Sequence, residues 1–346
     1  MEVLSGDLKK RNLVIILIDG LRWQEVFRGA DTDLISNPAF TPDPHSLRSL
    51  FRGETKGERR KKLLPFFWNI ISEQGLLFGD RDLNSKVNAS NLYSVSYPGY
   101  NEIFTGTTDI FISGNKKVNN RNINVLEWLV RKRAFENNIA VFSSWNVFPY
   151  ILNAERSGLR FDTGPEENEE GHQAITIPAK DGIQYSKDTR HDMLTYTHAK
   201  EYIKKYHTRI TVIAFGEADV LAHERRYDLY LQQINQADTM IGELWNIIQT
   251  TKGYRNNTNF LITTDHGRGN TEKNWHDHGI FVRGSSQTWL ALIGPAASTL
   301  KMKNGQICNK QFAGVIARLV GEEFPAQKDL RSLKQKMNAK RIQPRA

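Results

Sequence analysis

The stretch "NLVIILID" (12–19) holds six consecutive apolar residues, Leu13 to Ile18, with no alternation. A strand with one solvated face alternates apolar and polar side chains. An unbroken run belongs to a strand buried on both faces, which is the state of a parallel sheet covered by helices. "ITVIAF" (210–215) and "NFLITT" (259–264) have the same character, and "IAVFSS" (139–144) and "TWLALIG" (288–294) read as further strands. Between them, residues 63–75, 124–138, 192–206, 227–251 and 310–321 read as helices. This alternation predicts an α/β chain, with a mainly parallel central sheet and helices on both faces. Two segments fall outside it. Residues 31–60 are rich in Pro, Asp, Ser and Arg, and residues 155–190 contain "GPEENEEGH". Both read as excursions at the sheet's rim, either a partial cap over a site or solvated loops.

In a parallel sheet, ligands gather beyond the carboxyl ends of the strands. Here those ends carry metal-binding side chains. The first strand runs into Asp19. The strand 210–215 leads into "GEADVLAH", with Asp219 and His223 four apart and so on one helical face. The strand 259–264 runs into Asp265-His266, and "NWHDHG" follows with His276 and His278. One aspartate after a strand is usually a turn residue or a cap. Three acidic or imidazole-bearing strand ends are a site. Asp19, Asp219 and Asp265 offer oxygens. His223, His266 and one of His276 or His278 offer nitrogens. Six mixed donors exceed one tetrahedral zinc and suit two neighbouring divalent ions, with Zn2+ or Mn2+ favoured over Ca2+ or Mg2+.

The nucleophile candidate lies in "NLYSVSYPGYNEIFTG" (91–106). Ser96 precedes Pro98 at an expected helix start, where free amides and the helix dipole suit a phosphate. The competing reading is a plain N-cap. Ser94 is a rival with no helix start beside it.

The bulk numbers narrow the field. Cys308 is the only cysteine, so disulfide frameworks, Cys-type zinc fingers and iron–sulfur sites are excluded. The net charge of +9 favours anionic partners, but it is scattered. "KGERRKK" (56–62) and "KRIQPRA" (340–346) read as solvated surface, and no pattern of a stable nucleic-acid partner accompanies them. No run reaches the ~18 apolar residues of a membrane span, and no signal peptide is recognisable.

Taken together, "IILIDGLR", "SYPGYNEIFTG", "EADVLAH", "ITTDHG" and "HDHG" resemble the alkaline phosphatase superfamily, in particular its nucleotide pyrophosphatase/phosphodiesterase-like branch. The resemblance runs from Asp19 to Gly279. It implies a three-layer sandwich spanning residues 1–346 as one catalytic domain. It implies one metal held by Asp219, His223 and His278, a second held by Asp19, Asp265 and His266, and Ser96 bridging them as nucleophile. His278 is preferred over His276 because the family's last histidine directly precedes a glycine, here Gly279.

A small-molecule phosphate ester, nucleotide-like ones included, is the implied substrate, and export or a periplasmic location the implied compartment. Tyr97, Arg22, Arg268, His276 and Asn119 (or Asn120) are candidates for contact with substrate. Serine rather than threonine at position 96 leaves monoesterase and diesterase both open. A sulfatase and a phosphoglycerate-mutase-like phosphotransferase are alternatives on the same scaffold. The sulfatase stretch requires an arginine where this chain has Tyr100. A non-catalytic anion-binding protein is the remaining reading.

Overall fold

A computed structural model describes residues 2–3, 11–164, 188–297, 300–301 and 306–327. Most of the 155–190 excursion and the basic tail at 340–346 lie outside the described residues.

The central sheet has seven strands: β1 Asn12–Ile18, β2 Leu76–Phe78, β3 Ile139–Ser143, β4 Arg160–Thr163, β5 Ile210–Phe215, β6 Thr258–Thr263 and β7 Leu290–Ile293. Their order is β2-β7-β6-β1-β5-β3-β4. Only β7 runs against its neighbours. As its unbroken apolar run requires, β1 is central and parallel to both flanking strands. Ile18 pairs with Phe215 and Leu17 with Thr263, so β1, β5 and β6 end at one level. That register delivers Asp19, the Asp219 segment and Asp265 to a single rim.

Successive side chains of a strand point to opposite faces, and each face has its own core. Val14, Ile16, Ile18, Ile213 and Phe215 pack with helices α2 (Asp192–Tyr206) and α4 (Tyr227–Thr250). Leu13, Ile15, Leu17, Val212 and Ala214 pack with α1 (Ser96–Thr105) and α5 (Phe312–Leu319). The result is a helix–sheet–helix sandwich, as the alternation predicts. Among the described residues no helix is long and apolar enough to cross a membrane.

Two readings of local structure change. Residues 31–60 are not irregular loops. They form helices at Thr32–Ser36 and Pro44–Phe51, and a third at Lys56–Leu63. The polar residues that resemble a loop are caps: Asp31 accepts from Asp33 and Leu34 amides, Asp43 from His45 and Ser46, and Thr55 from Glu58. Pro44 occupies the first turn of its helix, where it is tolerated. Leu34, Ile35, Phe40, Leu47, Phe51 and Leu63 join the core. Residues 124–138 are helical only over Val125–Val130. A turn with Asn137 at φ 57° and Phe135 buried then returns the chain to β3.

Candidate metal centre

The nucleophile segment is fixed from two sides. Helix α1 begins at Ser96, with Val95 in the N-cap position and no side chain capping it. Ser96 is therefore not a cap, and its hydroxyl is available for other partners. The Oγ lies 3.3 Å from Asp19 Oδ1 and 3.3 Å from His266 Nε2. The loop before the helix is held by the buried Glu102 carboxylate, which accepts the amides of Ser90 and Asn91 and the Asn91 side chain. Ser94, the rival serine, offers its carbonyl instead, accepting from His278 Nδ1 at 3.0 Å.

Asp19, Asp265 and His266 form a fully buried group whose ligand atoms all lie within 4.8 Å of one another. Asp265 Oδ1 accepts the Gly20 amide at 3.2 Å, while Oδ2 is buried with no hydrogen-bond partner. Such an orphan carboxylate oxygen needs a cation or a proton. Burial and the neighbouring Asp19 push the Asp265 carboxyl up to about 7. His266 donates Nδ1–H to the Gly267 carbonyl at 3.0 Å, leaving Nε2 for the site. That Nε2 stands 3.4 Å from Asp19 Oδ1 and 3.4 Å from Asp265 Oδ2. Burial opposes its charge, but Asp265 and Asp19 outweigh it and raise His266 to about 9. A group that holds a proton between two carboxylates holds it where a metal ion would sit.

The second group, Asp219, His223 and His278, also gathers within 4.8 Å and opens toward solvent. Asp219 and His223 lie on α3 (Glu217–His223). The start of α3 is pinned by buried Asp192, which accepts the Gly216 amide at 2.8 Å, and Glu217 accepts the Asp192 amide at 2.6 Å in return. The two Nε2 atoms of His223 and His278 are 3.0 Å apart. Since His278 donates through Nδ1, its Nε2 carries a lone pair. Burial and the nearby His266 lower both imidazoles, His278 the more strongly. Two neutral imidazole nitrogens beside a carboxylate are the donor set of a divalent transition metal. The groups adjoin each other: the His266 and His278 rings stack with centroids 3.9 Å apart.

Two glycines permit this closeness. A Cβ at Gly99 would lie 2.7 Å from the Asp265 carbonyl oxygen, so α1 can approach β6 only with glycine there. Gly20 has φ +60° and would meet Arg268 and Asp219. Gly99→Ala is expected to cost about 1–3 kcal/mol of stability and to lower turnover by moving Ser96. Denaturant titration alongside an activity assay checks this.

The other candidates lie as follows. His276 is outside both groups, with Nδ1 3.0 Å from Asp277 Oδ1 and its ring beside Phe40. Arg268 is buried, and its guanidinium binds the Gly20 and His276 carbonyls and Asp219. Arg22 is buried in a pair with Glu25 and donates to the Gly269 carbonyl. Both arginines brace the loops that carry the candidate ligands. Tyr97 is buried, donating its hydroxyl to the Val118 carbonyl at 2.6 Å. Asn119 lines a cavity of about 300 Å3 with Tyr97 and Val118, and Asn120 is buried against Asn101 and the Ile151 carbonyl. Three residues go beyond the sequence reading. Tyr100 donates its hydroxyl to Asp19 Oδ2 at 3.0 Å, Asn309 donates to the Asp265 carbonyl, and Asn115 accepts the Tyr97 amide at the start of α1. A tyrosine one helical turn after Ser96 was the only signal for the first. The other two have none.

Residues 157–280 match the model of the Metalloenzyme superfamily, a span that includes Asp219, His223, Asp265, His266 and His278. No curated protein matches the chain. Solved structures do. The lipoteichoic acid synthase LtaP from Listeria monocytogenes is 11% identical with a TM-score of 0.57, and covers 94% of this chain and 77% of its own. A protein in the alkaline phosphatase superfamily from Vibrio parahaemolyticus is 14% identical with a TM-score of 0.50, covering 91% and 67%. The phosphonate monoester hydrolase of Agrobacterium radiobacter is 13% identical with a TM-score of 0.54, covering 90% and 74%. A 2-O GAG sulfatase is among the further similar structures. The chain thus has the fold of the alkaline phosphatase superfamily, and the segment that matches the Metalloenzyme superfamily model contains five of the six gathered candidate ligands.

Proposed function

We propose that this chain is a two-metal hydrolase of phosphate esters that works through a phosphoseryl intermediate at Ser96. The observation that carries the reading is the position of the Ser96 hydroxyl, 3.3 Å from both Asp19 Oδ1 and His266 Nε2, at the first residue of a buried helix. Asp19, Asp265 and His266 would hold one divalent cation, and Asp219, His223 and His278 the other. Bound Zn2+ or Mn2+ would supply Lewis-acid stabilisation of the phosphoryl oxygens and lower the Ser96 hydroxyl pKa.

The chain's own residues do the rest. Ser96 Oγ gives up its proton on the side of Asp19 and forms the bond to phosphorus as the bond from phosphorus to the ester oxygen breaks, and that oxygen leaves with the proton as the alcohol or phenol. Water then cleaves the Ser96–phosphate bond and frees the hydroxyl. Tyr100 and the Gly20 amide hold the two carboxylates in place through this sequence. Likeness to a phosphonate monoester hydrolase is in keeping with a substrate bearing one ester bond at phosphorus. The sulfatase reading is disfavoured by Tyr100, which stands where that stretch requires arginine and is tied to Asp19.

The test combines elemental analysis with a screen of aryl phosphate monoesters and diesters. The expected result is about two equivalents of zinc or manganese per chain, turnover of at least one ester class, and loss of turnover on chelation that either metal restores. Labelled phosphate from the ester is expected on Ser96 in a quenched reaction. A chain that binds metal but turns over no phosphate ester, and shows a formylglycine mass shift at Ser96, would be a sulfatase instead.

A further inference from the structure

Exposed apolar side chains are unevenly spread over this surface. Among the described residues nine large hydrophobics are well exposed. Six of them (Leu92, Ile110, Phe111, Val118, Ile280 and Phe281) lie on three segments around the metal centre. Phe281 is 95% exposed, three residues after the ligand His278.

The three segments are tied to the site and to one another. The Ser94 carbonyl orients His278, the Tyr93 hydroxyl donates to the Ile110 carbonyl at 2.7 Å, and Asn115 accepts the Tyr97 amide. The turn bearing Ile280 and Phe281 closes from the Val282 amide to the Gly279 carbonyl. On most soluble surfaces such side chains are scattered singly, and a concentration of them marks a contact surface. The charges among them are selective. Two acids of this region are paired with permanent cations, Asp109 with Arg121 and Asp188 with Lys117, while Asp277 contacts His276, an imidazole whose charging burial disfavours. Lys116 and Arg283 are exposed, with no carboxylate partner among the described residues. Apolar knobs set among unpaired cations, on a chain of net charge +9, complement an anionic lipid surface.

We propose that this rim seats the metal centre on an anionic lipid surface, from which the enzyme takes amphiphilic phosphate esters. The substrate class rests on the phosphate-ester reading above, whereas the surface binding does not.

The full chain, loaded with zinc, is sedimented with vesicles of phosphatidylcholine alone or of phosphatidylcholine mixed with phosphatidylglycerol. The parent is expected to pellet with the anionic vesicles and to remain in solution with the neutral ones. The double variant Ile110→Ser, Phe281→Ser is expected to lower the bound fraction about tenfold. It should leave hydrolysis of a soluble aryl phosphate unchanged, since both side chains are exposed. A second arm compares a long-chain alkyl phosphate held in vesicles with its short-chain homologue. The parent is expected to favour the former and the variant to lose that preference. The proposal is overturned if the parent ignores anionic vesicles, if the variant binds them equally, or if the substitutions change only self-association. Vesicle binding requires no turnover, so failed binding with intact aryl phosphate hydrolysis removes this inference alone. Binding without any hydrolysis removes the phosphate-ester reading alone.

Discussion

Alanine at position 96 is expected to lower kcat on aryl phosphates by about 10^4-fold, roughly 5.5 kcal/mol of barrier, while metal content stays near that of the parent. The hydroxyl is the only group of Ser96 that reaches Asp19 and His266, so its loss removes the atom that the proposed reaction would bond to phosphorus. The fold has little stake in that atom. Val95, not Ser96, occupies the cap position of α1, and no helix amide depends on the Ser96 side chain. Stability is therefore expected to change by less than about 1 kcal/mol. All six gathered ligand residues remain, so elemental analysis is expected to find both metals still bound. Residual turnover reports what positioning and charge stabilisation contribute without a covalent step. Turnover within about tenfold of the parent, with both metals present, would remove Ser96 as the nucleophile and leave Ser94 to be tested next.

The contrast between the two readings of Ser96 shows what a sequence of this kind makes legible. Its neighbours in the chain allow a cap as readily as a nucleophile. The structure sets the cap aside by placing Val95 in that position, and it brings the hydroxyl to Asp19, 77 positions away, and His266, 170 positions away. The candidate ligands were legible for a different reason. Asp19, Asp219, Asp265 and His266 follow or nearly follow strands whose apolar runs are continuous, and parallel strands in register must end together. His223 was legible from its spacing to Asp219, and His278 from the resemblance alone. The alternation of β1, β5 and β6 with helices likewise carried the sandwich.

The helices of residues 31–60 were hidden because Asp31, Asp43 and Thr55 cap them with the same residue types that make turns. Arg22 and Arg268 have the look of surface cations in a charged chain. Only the fold buries them, one against Glu25 and the other across the loops of Gly20, Asp219 and His276. Asn309 and Asn115 contribute single hydrogen bonds to the site from segments with no pattern of their own, and no spacing rule reaches them.

Substitution of Asp265 by asparagine is expected to separate stability from metal binding. In the metal-free protein, burial beside Asp19 raises this carboxyl from 3.8 to about 7. The native state then holds a proton that the unfolded chain has released. The stability tied to that proton is complete below about pH 4 and is lost as pH rises through 7. His266, raised from 6.5 to about 9, acts in the same sense one window higher, complete below about 6.5 and lost through 9. In the metal-free parent these two groups are thus expected to weaken the fold as pH rises through 7 and then 9, while His223 and His278, lowered by burial, act in the opposite sense near 6.5 in parent and variant alike. Asparagine stands in for the protonated acid and removes the lower part of that slope, so the metal-free variant should match or exceed the parent at pH 8. Asp192 and Asp238, also raised to about 7 by burial, titrate in both proteins and cancel in the comparison.

Zinc reverses the order. Its ligands must be deprotonated, so it binds the parent more tightly as pH rises. At about a thousandfold over its dissociation constant it adds ~4 kcal/mol of stability. The variant lacks the buried, unpartnered Oδ2 and should gain at most about 1 kcal/mol under the same conditions. Thermal denaturation of both proteins at pH 5 and pH 8, with and without zinc, reads the two effects together. Equal stabilisation of parent and variant by zinc would mean that Asp265 holds no metal and that its buried carboxyl is held by its proton alone.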